Sequence, residues 1–572
     1  MPSSASNPLP QLNFNELPQT WEWWNINGTN FLTVVKNQLV PHYCGSCWSF
    51  GSTSSLSDRI KIKRKAKWPD INISPQVLLN CAQSDILQGC KGGYALKAYE
   101  WIYHNNITDE TCNSYQAKSW TDNIGPQNCT AVTKCMDCDK EEGCKVAKNP
   151  KIYAIKAYGK VSGELQMMNE IYQRGPIACG CGTTRAFYNY TEGIFVDTTG
   201  VTSLTHDCAV VGWGEENGVK YWLGRNSFGS YWGMKGMFKI IRGVNNLGIE
   251  TDCSWAEPLD TWTNDIRNKT QTDEQLQKER KKIDQQKKQP ILSNKANCSI
   301  EQSKDFSFKK LFIKNKFPHA DIYSSRDQLP ESWDWRDKDG VNYMSWNVNQ
   351  HVPKYCGSCW AQAALSSIAD RVNIMRGNQF PQLALSVQAV LNCKQGGTCN
   401  GGLSYDLYEI LALQGVPEMT CQVYLSEDPD ITDCSPIQNC KNCQGGKDKK
   451  CWPQEKYDRW YLLAYGSVSG PDRMKQQIQR YGPITCRIAA TLEFDFYDGK
   501  GVFSQKLEDP VSKINHAIAV VGWGIENGQE YWIGRNSWGT YWGDFGFFKM
   551  KMYEDNLAIE HDCSFGIPKL VY

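Results

Sequence analysis

Residues 43–48 read Tyr43-Cys44-Gly45-Ser46-Cys47-Trp48, and the same six letters return as Tyr355-Cys356-Gly357-Ser358-Cys359-Trp360. Each copy follows a proline, Pro41 or Pro353, and precedes a stretch of helical character. In the first copy, Ser52–Lys65 carries apolar Leu56, Ile60 and Ile62 and ends basic, as a helix C-terminus favours. A thiol attacks a carbonyl as thiolate, and a helix N-terminus favours that form. Cys47 and Cys359 are therefore the candidate nucleophiles around which the chain is organised.

Working outward, the duplication takes in nearly the whole chain. Leu17-Pro18-Gln19-Thr20-Trp21-Glu22-Trp23 returns as Leu329-Pro330-Glu331-Ser332-Trp333-Asp334-Trp335, a tandem repeat with small loop insertions. The expected units are an N-terminal extension (1–16), a first domain (17–257), a connecting stretch (258–328) and a second domain (329–572). Within each copy a helical first third gives way to β-rich runs such as Ala209–Gly214 and Val219–Leu223. Glu216-Asn217-Gly218 and Glu526-Asn527-Gly528 read as tight hairpin turns. Helices followed by strands predict an α+β unit with segregated layers. Residues 260–290 are Lys-, Gln- and Asp-rich and read as a solvated spacer.

The 25 cysteines suit an oxidising compartment, as do seven Asn-X-Ser/Thr sequons at Asn27, Asn72, Asn106, Asn128, Asn189, Asn268 and Asn297. Such a chain is expected to be a glycoprotein, lysosomal or secreted. Met1–Asn30 shows no apolar h-region, so the expectation is that the natural chain starts further upstream. A net charge of +1 gives no electrostatic case for nucleic acid, and no run reaches membrane-spanning length.

A cysteine nucleophile needs a base, and the chain has seven histidines. His206 and His516 occupy the same repeat position, in Thr205-His206-Asp207-Cys208 and Asn515-His516-Ala517-Ile518. Twenty residues beyond each stands Asn226 or Asn536, whose amide oxygen can orient an imidazole. A redox Cys-X-X-Cys motif and zinc ligation by Cys135–Cys138 or Cys440–Cys443 are the competing readings. The placement of His and Asn argues against the first, and the lack of matching histidines against the second.

Taken together, these blocks resemble two copies of a papain-family cysteine peptidase, closest to the cathepsin X (cathepsin Z) branch. The resemblance implies a helical subdomain and a β-barrel-like subdomain in each copy, with the active site in the cleft between them. It implies oxyanion-hole glutamines at Gln38 and Gln350, and substrate-binding glycines at Gly92, Gly93, Gly401 and Gly402. It also implies a ring over the Asn–His bond, Trp538 in copy two and Phe228 in copy one. No metal or organic cofactor is implied, and the partners are peptide or protein substrates.

The branch adds a short loop before the cysteine motif, His351-Val352-Pro353 in copy two, whose histidine would bind a substrate's C-terminal carboxylate. Copy one has Leu39-Val40-Pro41, with His42 just beyond. Copy two is thus the expected carboxymonopeptidase and copy one a peptidase of altered specificity. The alternative makes copy one a non-catalytic peptide-binding or regulatory module.

The resemblance further implies disulfides Cys44–Cys90, Cys81–Cys129, Cys112–Cys135, Cys138–Cys144 and Cys179–Cys253 in copy one. In copy two it implies Cys356–Cys399, Cys393–Cys434, Cys421–Cys440, Cys443–Cys451 and Cys486–Cys563. Cys298 would lie in a pro-segment (about 291–328) and bridge Cys359 as a reducible lock. Cys181 and Cys208 either pair or remain two buried thiols.

Overall fold

Each repeat builds its core on one long helix, α1 (Cys47–Lys63) in the first copy. Its buried serine hydroxyls are satisfied by bonding back to the preceding turn: Ser52 to Trp48 O (2.8 Å), Ser57 to Thr53 O (2.7 Å). The helix ends with Lys61 and Lys63 in its last turn, matching the dipole. A shorter helix, α2 (Ala95–Asn105), packs beside it. The first-copy sheet holds β1 (Ile155–Val161), β2 (Ile177–Cys181), β3 (His206–Glu216), β4 (Val219–Arg225), β5 (Met237–Ile241) and β6 (Cys253–Pro258). The second copy repeats the plan with α3 (Cys359–Met375), α4 (Ser404–Gln414), β7 (Arg459–Val468), β8 (Ile484–Ile488), β9 (His516–Glu526), β10 (Gln529–Arg535), β11 (Phe547–Lys551) and β12 (Cys563–Lys569). This is a computed structural model, and it describes residues 9–122, 125, 128–260, 290–296, 329–429, 434–445 and 450–569.

The strands pair in the order β1-β6-β2-β3-β4-β5, and in the second copy β7-β12-β8-β9-β10-β11. Both β3–β4 and β9–β10 turn where the sequence predicts, at Asn217-Gly218 (φ 51° and 76°) and Asn527-Gly528 (φ 52° and 76°). Positive φ at both positions is the geometry that fits strand twist in a two-residue hairpin. Each copy is the expected α+β unit, and among the described residues its sheet is open and not a closed barrel. In the first copy α2 packs against the end strand β1.

A buried ion pair ties helix to sheet in each copy. Arg225, at the end of β4, bonds Asp58 of α1 through Nη2–Oδ2 (2.7 Å), and the two are 2% and 0% exposed. Asp58 Oδ1 also accepts from the Thr33 amide and hydroxyl, both at 2.8 Å. Arg535, Asp370 and Ser345 repeat the arrangement.

The two domains meet about a pseudo-two-fold axis. Asn37 Nδ2 donates to Thr420 O (2.8 Å), and Asn349 Nδ2 to Thr111 O (2.9 Å). Ser230 meets Thr420 and Thr540 meets Thr111 through their hydroxyls. The strand pair closed by Cys138–Cys144 abuts the other domain's Pro353 carbonyl, its sulfurs 3.7 and 3.4 Å away. The Cys443–Cys451 pair abuts Pro41 O likewise, at 3.6 and 3.7 Å. Each domain thus braces the loop that precedes the other's cysteine motif.

Replacing Arg225 by Met leaves Asp58 buried without its cation. Loss of one partner of such a pair costs about 3–5 kcal/mol. The expected outcome is a lower denaturation midpoint for the first domain, partly restored in the Arg225→Met/Asp58→Leu double variant.

Candidate active site

Cys47 and Cys359 are the first residues of α1 and α3. The preceding glycine is required there, since a Cβ on Gly45 would stand 2.7 Å from Cys90 O, the carbonyl its own amide bonds. That approach is fixed by the Cys44–Cys90 disulfide, and in the second copy by Cys356–Cys399.

His206 and His516 open β3 and β9. Each ring bonds its asparagine through Nε2 and Oδ1, His206–Asn226 and His516–Asn536, both at 2.8 Å. The asparagine oxygens also accept the next residue's amide, so their orientation is set before any ligand arrives. Phe228 lies 4.9 Å from the His206 ring and Trp538 4.8 Å from the His516 ring, so both shield the pair from water. Burial lowers both imidazoles to about 4, holding them neutral, while the asparagine bond works the other way.

Gln38 and Gln350 are held at both ends. Ser227 Oγ donates to Gln38 Oε1 (2.6 Å), and Gln38 Nε2 donates to Cys44 O (3.1 Å). Ser537, Gln350 and Cys356 repeat this at 2.6 and 3.0 Å. An amide so pinned has a second N–H for an oxyanion beside the nucleophile's amide.

The glycine pairs are close-approach positions. A Cβ on Gly93 would lie 2.5 Å from the Trp48 ring, and one on Gly402 2.6 Å from Trp360. Gly92 and Gly401 adopt φ 128° and 118°, which side chains disfavour.

The two sites differ at the nucleophile. Burial, helped by the Asp207 carboxyl, pushes the Cys47 thiol up to about 12, against the main-chain amides of Trp48 and Asp207. The lowered thiol pKa expected from the helix terminus is outweighed by this desolvation. Asp207 itself is raised by burial to about 7. In the second copy the same place is apolar, a cluster of Cys359, Ala363 and Ala517. In the first copy Gly51 stands at the position of Ala363, and the Asp207 Cβ lies 3.5 Å from where a Gly51 Cβ would stand. Cys359 is fully buried and disulfide-bonded. Its expected partner, Cys298, lies outside the described residues, as does most of the expected pro-segment.

The upstream loops differ too. His351 is 1% exposed and stacks on Tyr355 (4.7 Å, 8°). Among the described residues neither ring nitrogen makes a well-formed hydrogen bond; the polar group that comes up to the ring is the Lys295 main chain. Burial, Lys295 and His516 together hold the imidazole well below its usual value. At the same position Leu39 is buried in the first domain's core. His42 is half-buried on that loop. Residues 291–296 run along the second cleft: Leu292 bridges Thr491, Ser293 N bonds Ala490 O (3.1 Å), and Ala296 is buried in the core that contains Trp538.

Ten disulfides join pairs of described residues: Cys44–Cys90, Cys81–Cys129, Cys112–Cys135, Cys138–Cys144, Cys179–Cys253, Cys356–Cys399, Cys393–Cys434, Cys421–Cys440, Cys443–Cys451 and Cys486–Cys563. Cys181 and Cys208 are buried free thiols. Of the sequons, Asn27, Asn106, Asn128 and Asn189 are exposed, whereas Asn72 is buried. Asn268 and Asn297 lie outside the described residues. The single grouping with metal-ligand spacing among the described residues is Cys356, Cys399 and Asp428, and its sulfurs are joined in a disulfide.

Sequence reading missed Tyr115 and Tyr424. Their hydroxyls bond Gln38 O (2.6 Å) and Gln350 O (2.7 Å) and meet Ser46 and Ser358. It missed Ser227 and Ser537 as well. All recur at equivalent repeat positions, the signal that could have found them.

The comparisons agree with this geometry. A family profile described as papain family cysteine protease matches residues 17–257 and 329–567. Cathepsin Z of Onchocerca volvulus is 44% identical over 256 residues, covering 43% of this chain and 80% of that protein. A gut-specific cysteine proteinase of Caenorhabditis elegans is 34% identical over 226 residues, covering 38% and 67%. Among solved structures, digestive procathepsin L 3 of Tenebrio molitor larval midgut matches with a TM-score of 0.35 at 27% identity, covering 45% of this chain and 73% of that one. With two matched segments spanning most of its length, each carrying the cysteine, histidine, asparagine and glutamine described above, this chain belongs to the papain family and is a cysteine peptidase.

Proposed function

We propose that the second domain is a carboxymonopeptidase held as a zymogen, and that the first is a peptidase of different specificity. In the second domain the Cys359 thiolate attacks the scissile carbonyl, and Gln350 with the nucleophile's amide stabilises the oxyanion. His516, oriented by Asn536, protonates the leaving amine and then activates water against the thioester. The first domain uses Cys47, His206, Asn226 and Gln38 likewise. Gly92-Gly93 and Gly401-Gly402 hold extended substrate in the two clefts.

The carrying observation is His351: a buried imidazole with no well-formed hydrogen bond, on a braced loop within electrostatic reach of His516. A substrate's terminal carboxylate is the partner such a ring lacks. The loop also blocks chains that would continue past it. Leu39 offers no such donor, which supports a different specificity for the first domain, as does Asp207 beside Cys47. The disulfide at Cys359 and the segment along its cleft support the zymogen reading, with Cys298 as the lock. Ten disulfides and exposed sequons support a glycosylated protein of the lysosome or the extracellular space. A regulatory first domain is the second reading, favoured by the Phe228 substitution and the raised Cys47 thiol.

Thiol reduction is expected to release turnover on free-acid peptides, and Cys359→Ala to abolish it. Peptide mapping without reduction that finds Cys298 unpaired rejects the lock. Because burial holds His351 neutral, capture of a carboxylate takes up a proton. KM for free-acid peptides should therefore rise with pH, and this slope should vanish in His351→Asn while amidated peptides are unaffected. A cysteine-directed peptidyl inhibitor should label both domains after reduction, and a silent Cys47 would favour the regulatory reading.

A further inference from the structure

The ammonium of Lys295 crosses the domain boundary. Its Nζ lies 2.5 Å from Oδ2 of Asp137, a first-domain residue on the strand pair closed by Cys138–Cys144. Asp137 is 8% exposed, and its other oxygen accepts from Tyr541 of the second domain (3.2 Å). The Lys295 main chain, meanwhile, comes up to the His351 ring. A second carboxyl, Asp495, stands close by, bonded by Ser293 Oγ at 2.5 Å and within electrostatic reach of Lys295 and Asp137. Lys295 therefore has its backbone at the proposed carboxylate reader and its cation on a buried acid supplied by the other domain. The first cleft has no equivalent: Asn442 occupies the position of Asp137, and Tyr188, stacked on Phe228, that of Asp495.

We propose that Asp137 completes the second domain's cleft as a subsite for a basic side chain, so that this domain removes C-terminal lysine or arginine in preference to other residues. Lys295 is the built-in occupant of that subsite. A residue whose main chain lies at His351 is the substrate's last residue, and its side chain has the reach that Lys295 displays. With Lys295 withdrawn, Asp137 keeps the Tyr541 hydroxyl but loses its cation, and a lysine or arginine restores the charge-assisted pair. The acid is held in place because its strand pair abuts Pro353 O and packs Met136 and Cys138 against Val352 of the His351 loop. This inference rests on the carboxypeptidase reading of the second domain.

The test uses the full chain after thiol activation, with matched peptides ending in Lys, Arg, Leu or Glu. The wild type should favour Lys and Arg over Leu, and Leu over Glu. Asp137→Asn should lower kcat/KM for the Lys and Arg peptides by about 10–100-fold relative to the Leu peptide, with an unshifted denaturation midpoint reporting an intact fold. Asp137→Glu should recover part of the loss. A wild type that turns over Leu and Lys peptides equally, or an Asp137→Asn variant that loses all substrates equally, overturns the subsite while leaving the carboxypeptidase reading in place. Absence of turnover on every free-acid peptide overturns that reading, and the subsite with it.

Discussion

The bond between Arg225 and Asp58, repeated by Arg535 and Asp370, fixes the relation between the two halves of each cleft. Asp58 lies on the helix that starts with the candidate nucleophile. Arg225 immediately precedes the asparagine that orients the histidine. A buried pair is satisfied in one geometry only, because misalignment leaves two charges in low dielectric. The same aspartate also holds the segment leading to the pinned glutamine, through Thr33 or Ser345. The candidate nucleophile, the asparagine bonded to the histidine and the candidate oxyanion donor thus share a common anchor behind the cleft.

Much of this was legible because the chain is written twice. Paired blocks at matched positions picked out the cysteines, histidines, asparagines and glutamines, and Asn-Gly picked out both hairpin turns. What escaped was pairing between distant side chains. Asp58 reads as one polar residue in a helix full of serines, and its exclusion from water depends on β4 lying across it. Tyr115 carries no local pattern; its role appears when its hydroxyl reaches Gln38 O from another loop. Periodicity reports which face a strand presents, not whether its sheet closes, so the α+β class was legible and the open edge of the sheet was not. The balance of charge and burial at Cys47 was equally hidden, since it turns on the depth of the cleft and on Asp207 standing beside the thiol.

The two clefts share a scaffold yet offer substrates different surroundings. One has a buried imidazole on its entry loop and two alanines, Ala363 and Ala517, beside its cysteine. The other has leucine on the loop and a carboxyl beside the thiol. Across the interface the divergence continues: Lys36 and Glu110 form a buried ion pair (2.9 Å), where the repeat places Val348 and Met419. Of these two solutions to one packing problem, the apolar one avoids the cost of desolvating charge.

The reciprocal seating of each disulfide-closed strand pair on the opposite proline loop has a consequence for how such a chain can change. A substitution in one copy's strand pair is felt at the loop that precedes the other copy's cysteine. The halves of a duplicated gene are usually free to drift apart, one conserving the old task while the other explores. Here neither half has that freedom, because each braces the loop before its twin's cysteine, and they change as a coupled pair.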